Sequence, residues 1–264
     1  MRVVLLAAVL LAFASPALAE PPARQAPADT TLARDPWSWP GAESTPEVTL
    51  QLFPVGRDTV EGRARQRYKA LALGFPSAQP LVLWGFRLGA DRGLCLQSGF
   101  VVDSAGHVSC DPVSRAAADT CAACALALDQ IVLTATGYAA GEPYRLGVIS
   151  PDGQLRAYAE TIPVPVVSED DSLRLHLEMV RPDGLEYAVV GEGFRPGSKV
   201  GVTTRSGDRS GTQKMVVPPE GRFRIEVFPQ VVGEPGGYTS VTVTVGHKSL
   251  TLDWPWGHAA FRGR

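Results

Sequence analysis

Apolar and polar positions alternate through most of this chain in short runs, and Gly or Pro breaks almost every run. The cleanest case is Leu173–Met179, where Leu173, Leu175, Leu177 and Met179 face one way and Arg174, His176 and Glu178 the other. A period of two marks a half-buried β-strand. The same reading gives strands over 48–53, 68–75, 81–88, 95–103, 107–110, 130–138, 144–150 and 155–165. It gives further strands over 185–194, 199–205, 212–217, 221–228, 238–246 and 248–254. Residues 81–88 are almost continuously apolar, as a central strand requires, which makes Trp84 a core residue. Ser150-Pro151-Asp152-Gly153 reads as a hairpin turn. Two stretches depart from the pattern. Residues 57–67 are charged and irregular and read as a loop. Residues 114–129, rich in Ala and Leu, predict the one sizeable helix.

A strand–turn–strand unit recurs. It is clearest in Gly193-Phe194-Arg195-Pro196-Gly197-Ser198-Lys199-Val200. A close echo is Gly137-Tyr138-Ala139-Ala140-Gly141-Glu142-Pro143-Tyr144, and a fainter one begins at Gly74-Phe75-Pro76. An aromatic at the strand end anchors in the core. Pro and Gly at the central turn positions then favour a type II turn. This pattern resembles the bacterial immunoglobulin-like modules of secreted and surface proteins. The resemblance covers 173–257 well and 130–165 in part, and it implies a fold rather than a function.

The expected fold class is therefore all-β: two immunoglobulin-like β-sandwich domains in tandem, the first with a short disulfide-stapled helical insertion. Residues 1–19 read as a signal peptide, with Arg2, an apolar core and Ala17-Leu18-Ala19 before the cut. Residues 20–46 form a flexible Pro/Ala-rich leader. Residues 47–166 are the first sandwich, with the insertion near 113–129. Residues 167–172 are a linker, 173–257 the second sandwich and 258–264 a frayed tail.

Composition narrows the function. Without residues 1–19 the chain holds 24 basic against 27 acidic residues. That balance gives no electrostatic reason to expect nucleic acid, which needs clustered Lys and Arg. No later stretch is long and apolar enough for a membrane span. The expected destination is periplasmic or extracellular.

Candidate chemistry is sparse. Four cysteines, Cys95, Cys110, Cys121 and Cys124, in an exported chain point to two disulfides, with Cys110–Cys121 and Cys95–Cys124 favoured because that closes the shorter loop first. The rivals are a redox dithiol at Cys121 and Cys124, or a four-Cys metal site. His107, His176, His247 and His258 are scattered, at no ligand or catalytic spacing. Glu169-Asp170-Asp171 lies where sandwich joints can hold calcium, but three adjacent acids cannot fill the ion's shell alone. Trp37, Trp39, Trp254 and Trp256 are possible ligand contacts, since exposed aromatic pairs stack on sugars; core burial is the competing reading. These observations predict a non-catalytic binding, adhesion or structural protein of the cell envelope, with no cofactor and no metal. Its partner would be an envelope or extracellular protein or a glycan. The alternatives are a carbohydrate-binding accessory protein and a thiol–disulfide redox protein using Cys121 and Cys124.

Overall fold

Alternating apolar side chains close two separate cores, each between two antiparallel sheets. The computed structural model describes residues 42–111 and 121–262, which belong to one unit of the chain, Arg34–Arg264. In the first sandwich, β1 (Thr49–Val60), β2 (Arg63–Leu73) and β7 (Leu133–Thr136) form one sheet in the order β1-β2-β7. The facing sheet comprises β3 (Pro80–Arg87), β4 (Leu94–Val102), β5 (Val108–Cys110), β8 (Tyr144–Ile149) and β9 (Arg156–Thr161), ordered β5-β4-β3-β8-β9. In the second sandwich, β10 (Val167–Asp170), β11 (Leu173–Met179), β12 (Tyr187–Glu192) and β15 (Phe223–Val227) pair in that order. They face β14 (Arg209–Val216), β13 (Lys199–Ser206), β16 (Gly236–Val245) and β17 (Lys248–Gly257).

The two sandwiches repeat one topology. Strands β1, β2, β3, β4, β7, β8 and β9 pair with one another as β11 to β17 do, in the same order. Three strands against four, with chain crossings between the sheets, is the immunoglobulin and fibronectin type of sandwich. Every crossing from the three-stranded set to the four-stranded one uses the same turn. The N–H of Ser198 donates to Arg195 O at 3.1 Å, that of Glu142 to Ala139 O at 3.1 Å, and that of Gln79 to Pro76 O at 3.3 Å. Gly197, Gly141 and Ala78 sit at the third position with φ of 74°, 74° and 61°. These are type II turns, as the recurring unit predicts. A fourth, from Val231 to Glu234 with Gly233 at φ 87°, makes the remaining crossing.

Several expectations are corrected. Residues 57–67 are not a loop but the distal part of a hairpin, paired from Thr49↔Leu73 to Val60↔Arg63. The linker 167–172 is largely strand β10, paired to β11. Of the tail, His258–Phe261 forms a 3-10 turn, and Phe261 packs on the second core. Trp84 is half-buried rather than fully buried. The predicted helix is absent from the described part of its range. Ala122–Ala123 is strand β6, running parallel to Gln97 and Ser98 of β4, and Leu128–Gln130 is a 3-10 turn. The rest of the insertion, 112–120, lies outside the described residues. The physical reason is reach: Cys121 and Cys124 are bonded to partners on two different strands, β4 and β5, as described next. Three residues of helix rise about 4.5 Å, whereas three of strand rise about 10 Å. Ala propensity, worth under about 1 kcal/mol per residue, yields to that requirement.

Candidate functional site

The four cysteines pair as Cys95–Cys121 and Cys110–Cys124, with Cα separations of 5.4 and 5.7 Å. This corrects the favoured connectivity, and neither bridge joins Cys121 to Cys124. Cys95 is near the start of β4, while Cys110, on β5, pairs with Phe100 five residues further along β4. The bridges therefore pin the β6 segment lengthwise against β4, and Cys124 N–H donates to Ser98 O at 2.8 Å. With both thiols of the C-x-x-C sequence committed to other strands, the dithiol reading loses its geometry.

Trp254 and Trp256 are each 1% exposed and belong to the second core. Two residues apart on β17, they share its inner face, which corrects their candidacy as ligand contacts. Trp254 packs against Tyr187, ring centroids 5.5 Å apart, and the Tyr187 hydroxyl donates to Pro255 O at 3.2 Å. Trp37 and Trp39 lie outside the described residues. The acids of the former linker are matched by cations. Arg174 pairs with Glu169 at 3.2 Å, and Lys248 with Asp170 at 3.3 Å and with Asp171. The Lys248 ammonium holds the Asp171 carboxyl below its ordinary range. No group of three or more metal-ligating side chains occurs among the described residues.

Where the sandwiches meet, the β7–β8 turn seats in the second domain. Ala139 is 3% exposed and lies in the second core, against which Leu88 and Val166 also pack. The Met179 N–H donates to Gly141 O at 2.7 Å, and Gly141 N–H to Val164 O at 2.9 Å. Beneath the turn, Glu142 is 3% exposed. Its carboxylate accepts from Ala139 N–H and from Arg87 Nε, both at 2.9 Å. Arg87 also donates to Gly137 O and lies 4.7 Å over the Tyr138 ring. A buried carboxylate satisfied this way fixes the turn that forms the joint.

The sequence Arg63-Ala64-Arg65-Gln66-Arg67-Tyr68-Lys69 hides a second arrangement. On β2, Tyr68, Ala70 and Ala72 are buried in the first core. Alternation sends Arg63, Arg65, Arg67 and Lys69 to the opposite, outer face. Alternate residues stand roughly 7 Å apart, so the four cations form a file about 20 Å long. One acid answers them from the paired strands: Asp58 takes Arg65 in a two-pronged ion pair, 2.7 and 2.6 Å, and stands 4.0 Å from Arg67 Nε. The Arg65 bonds hold Asp58 ionised below the usual carboxylate range. Gly56 lies under Arg67; a Cβ there would come within 2.7 Å of Arg67 Nη2. Phe53, 45% exposed, pairs across from Lys69. Reading 57–67 as a loop concealed this file, although the alternating Arg-x-Arg-x-Arg-x-Lys spacing carries the signal.

A cleft of about 520 Å³ opens between the β11–β12 turn, the β15–β16 turn and the end of β17, lined by Asp183, Gln230, Val232, Glu234 and His258. Two of its polar side chains are engaged in holding its walls. Asp183 accepts from Leu185 N–H and pairs with Arg181, and Gln230 donates to Leu185 O.

No known family profile and no curated protein matches this chain. Among solved structures it is similar to a tetra-tandem repeat from the extending region of a large adhesion protein, at 7% identity and a TM-score of 0.23. That match covers 80% of this chain and 48% of the other, so the chain spans about half that structure's length. It is also similar to the chicken interferon gamma receptor alpha chain, at 10% identity and a TM-score of 0.21, over 77% of this chain and 97% of that one.

Proposed function

We propose that this is an exported, non-catalytic binding or adhesion protein of the cell envelope, in which two sandwiches act as one stiff element. The observation that carries this reading is the joint. Ala139 sits in the neighbouring core and the Met179–Gly141 hydrogen bond ties the backbones, so a load on one sandwich passes to the other. Two disulfides in one chain support an oxidising compartment and hence export. The catalytic alternative that the sequence offered, the Cys121–Cys124 dithiol, has its sulfurs in separate bridges. The sugar-binding alternative has lost Trp254 and Trp256 to the core.

The test is direct binding of the exported protein, labelled and folded, to isolated bacterial cell envelopes. Saturable binding at micromolar concentration, abolished by unfolding the protein, is expected. A linear, non-saturating signal equal to that of an unrelated sandwich domain would overturn the binding role.

A further inference from the structure

We infer that the outer face of the β1-β2-β7 sheet is a docking surface for a linear, sulfated or carboxylated polysaccharide, held by Arg63, Arg67 and Lys69. The inference rests on the binding role proposed above and adds the class of ligand. The second sandwich supplies the comparison. Its corresponding face also carries cations, but acids of the same sandwich answer them. Arg174 pairs with Glu169, Arg222 with Glu192 at 3.5 Å, and Arg224 with Glu178, which also meets His176 at 3.2 Å. The first sandwich keeps the same topology and drops that compensation. Among the described residues Asp58 is the one acid that ion-pairs with this file of four cations, and it holds Arg65 in two-pronged contact. Arg63 and Lys69 make no ion pair among the described residues. The Arg67 side chain is 42% exposed and stands 4.0 Å from Asp58.

The shape selects the ligand. A single straight file on an exposed sheet follows a chain that is itself extended and charged at regular intervals. Single-stranded nucleic acid is held by a groove with successive stacking rings, and among the described residues Phe53 is the one exposed aromatic side chain on this face. Duplex binding reads a groove with an inserted element, whereas this face is an open sheet. Counterion release makes such contacts salt-dependent, each phosphate-like contact contributing about 0.7–0.9 to the slope of log affinity against log salt.

The experiment titrates the exported protein with dextran sulfate, polygalacturonate, neutral dextran and single-stranded oligothymidylate at stepped sodium chloride. Dextran sulfate and polygalacturonate should bind and neutral dextran should not. Arg63→Gln with Lys69→Gln removes two exposed cations that hold nothing in the fold. It should weaken dextran sulfate binding about tenfold or more in low salt, with the slope falling by about 1.4 to 1.8. Gly56→Ala displaces Arg67 and should weaken binding while the melting temperature holds, and Asp58→Asn should strengthen it. Unchanged affinity and slope in the double variant would overturn the inference, as would equal binding of neutral dextran. Oligothymidylate binding tighter than both polysaccharides would assign the face to nucleic acid instead. If the double variant keeps saturable envelope binding at full strength, this inference fails while the binding role stands.

Discussion

The glycines of the recurring unit do different jobs, although each has a positive φ. Gly193 has a φ of 75°, and a Cβ there would fall 1.9 Å from Ser172 O. Gly74, at φ 84°, meets Glu47 O at 2.0 Å in the same way. Gly197 has open space around it and only its backbone conformation to protect. Gly193→Ala should therefore cost more than about 3 kcal/mol, since the clash adds to a left-handed penalty of about 1–2 kcal/mol. Gly197→Ala should cost that penalty alone. Ala78 occupies the Gly197 position in the first sandwich, at φ 61°. Ala78→Gly should gain up to about 1 kcal/mol, the left-handed penalty less the entropy that Gly loses on folding. Denaturant midpoints of the three variants check the ranking, and Gly193→Ala matching Gly197→Ala would contradict it.

At the scale of elements, what the sequence displayed was periodicity, and what it hid was partnership. The clean alternation of β11, β15 and β16 and the Pro-Gly corner of the turns were legible because local chemistry determines them. The β6 segment was not, because nothing within 114–129 states that Cys121 and Cys124 must reach residues on two other strands. The fourth crossing turn was overlooked because it lacks the Gly–aromatic opening, yet Gly233-Glu234-Pro235 repeats Gly141-Glu142-Pro143. The cation file was lost to the loop reading of 57–67, where a bulge between Pro54 and Gly56 breaks the alternation on β1. Its partner β2 alternates without a break. If the bridges hold β6 extended, replacing Cys110 and Cys124 together by Ala should lower stability by about 2–4 kcal/mol. Denaturation of the double variant measures this. A loss well under 1 kcal/mol would mean that strand pairing alone seats the segment.

For the whole molecule the joint decides behaviour. Gly141 has a φ of 74°, and a Cβ there would meet Leu177 at 3.1 Å. Gly141→Val should strain the turn and separate the domains without unfolding either. Small-angle scattering should then show a broader distribution of interdomain distances than the parent's, and an unchanged profile would count against a seated joint. The same geometry sets the two sandwiches apart. The second sandwich has its own counterpart of the seated turn, Val231 to Glu234 between β15 and β16, with Val232 86% exposed. Glu47 and Ser172 are likewise counterparts, each placing its carbonyl against the glycine after its sandwich's second core strand, Gly74 and Gly193. Met179 lies seven residues beyond Ser172, and Pro54 seven beyond Glu47. Pro54 has no N–H to give to the carbonyl of an incoming turn. The first sandwich therefore has no counterpart of the Met179–Gly141 hydrogen bond at that position, and the joint uses a donor that only the second sandwich carries among the described residues.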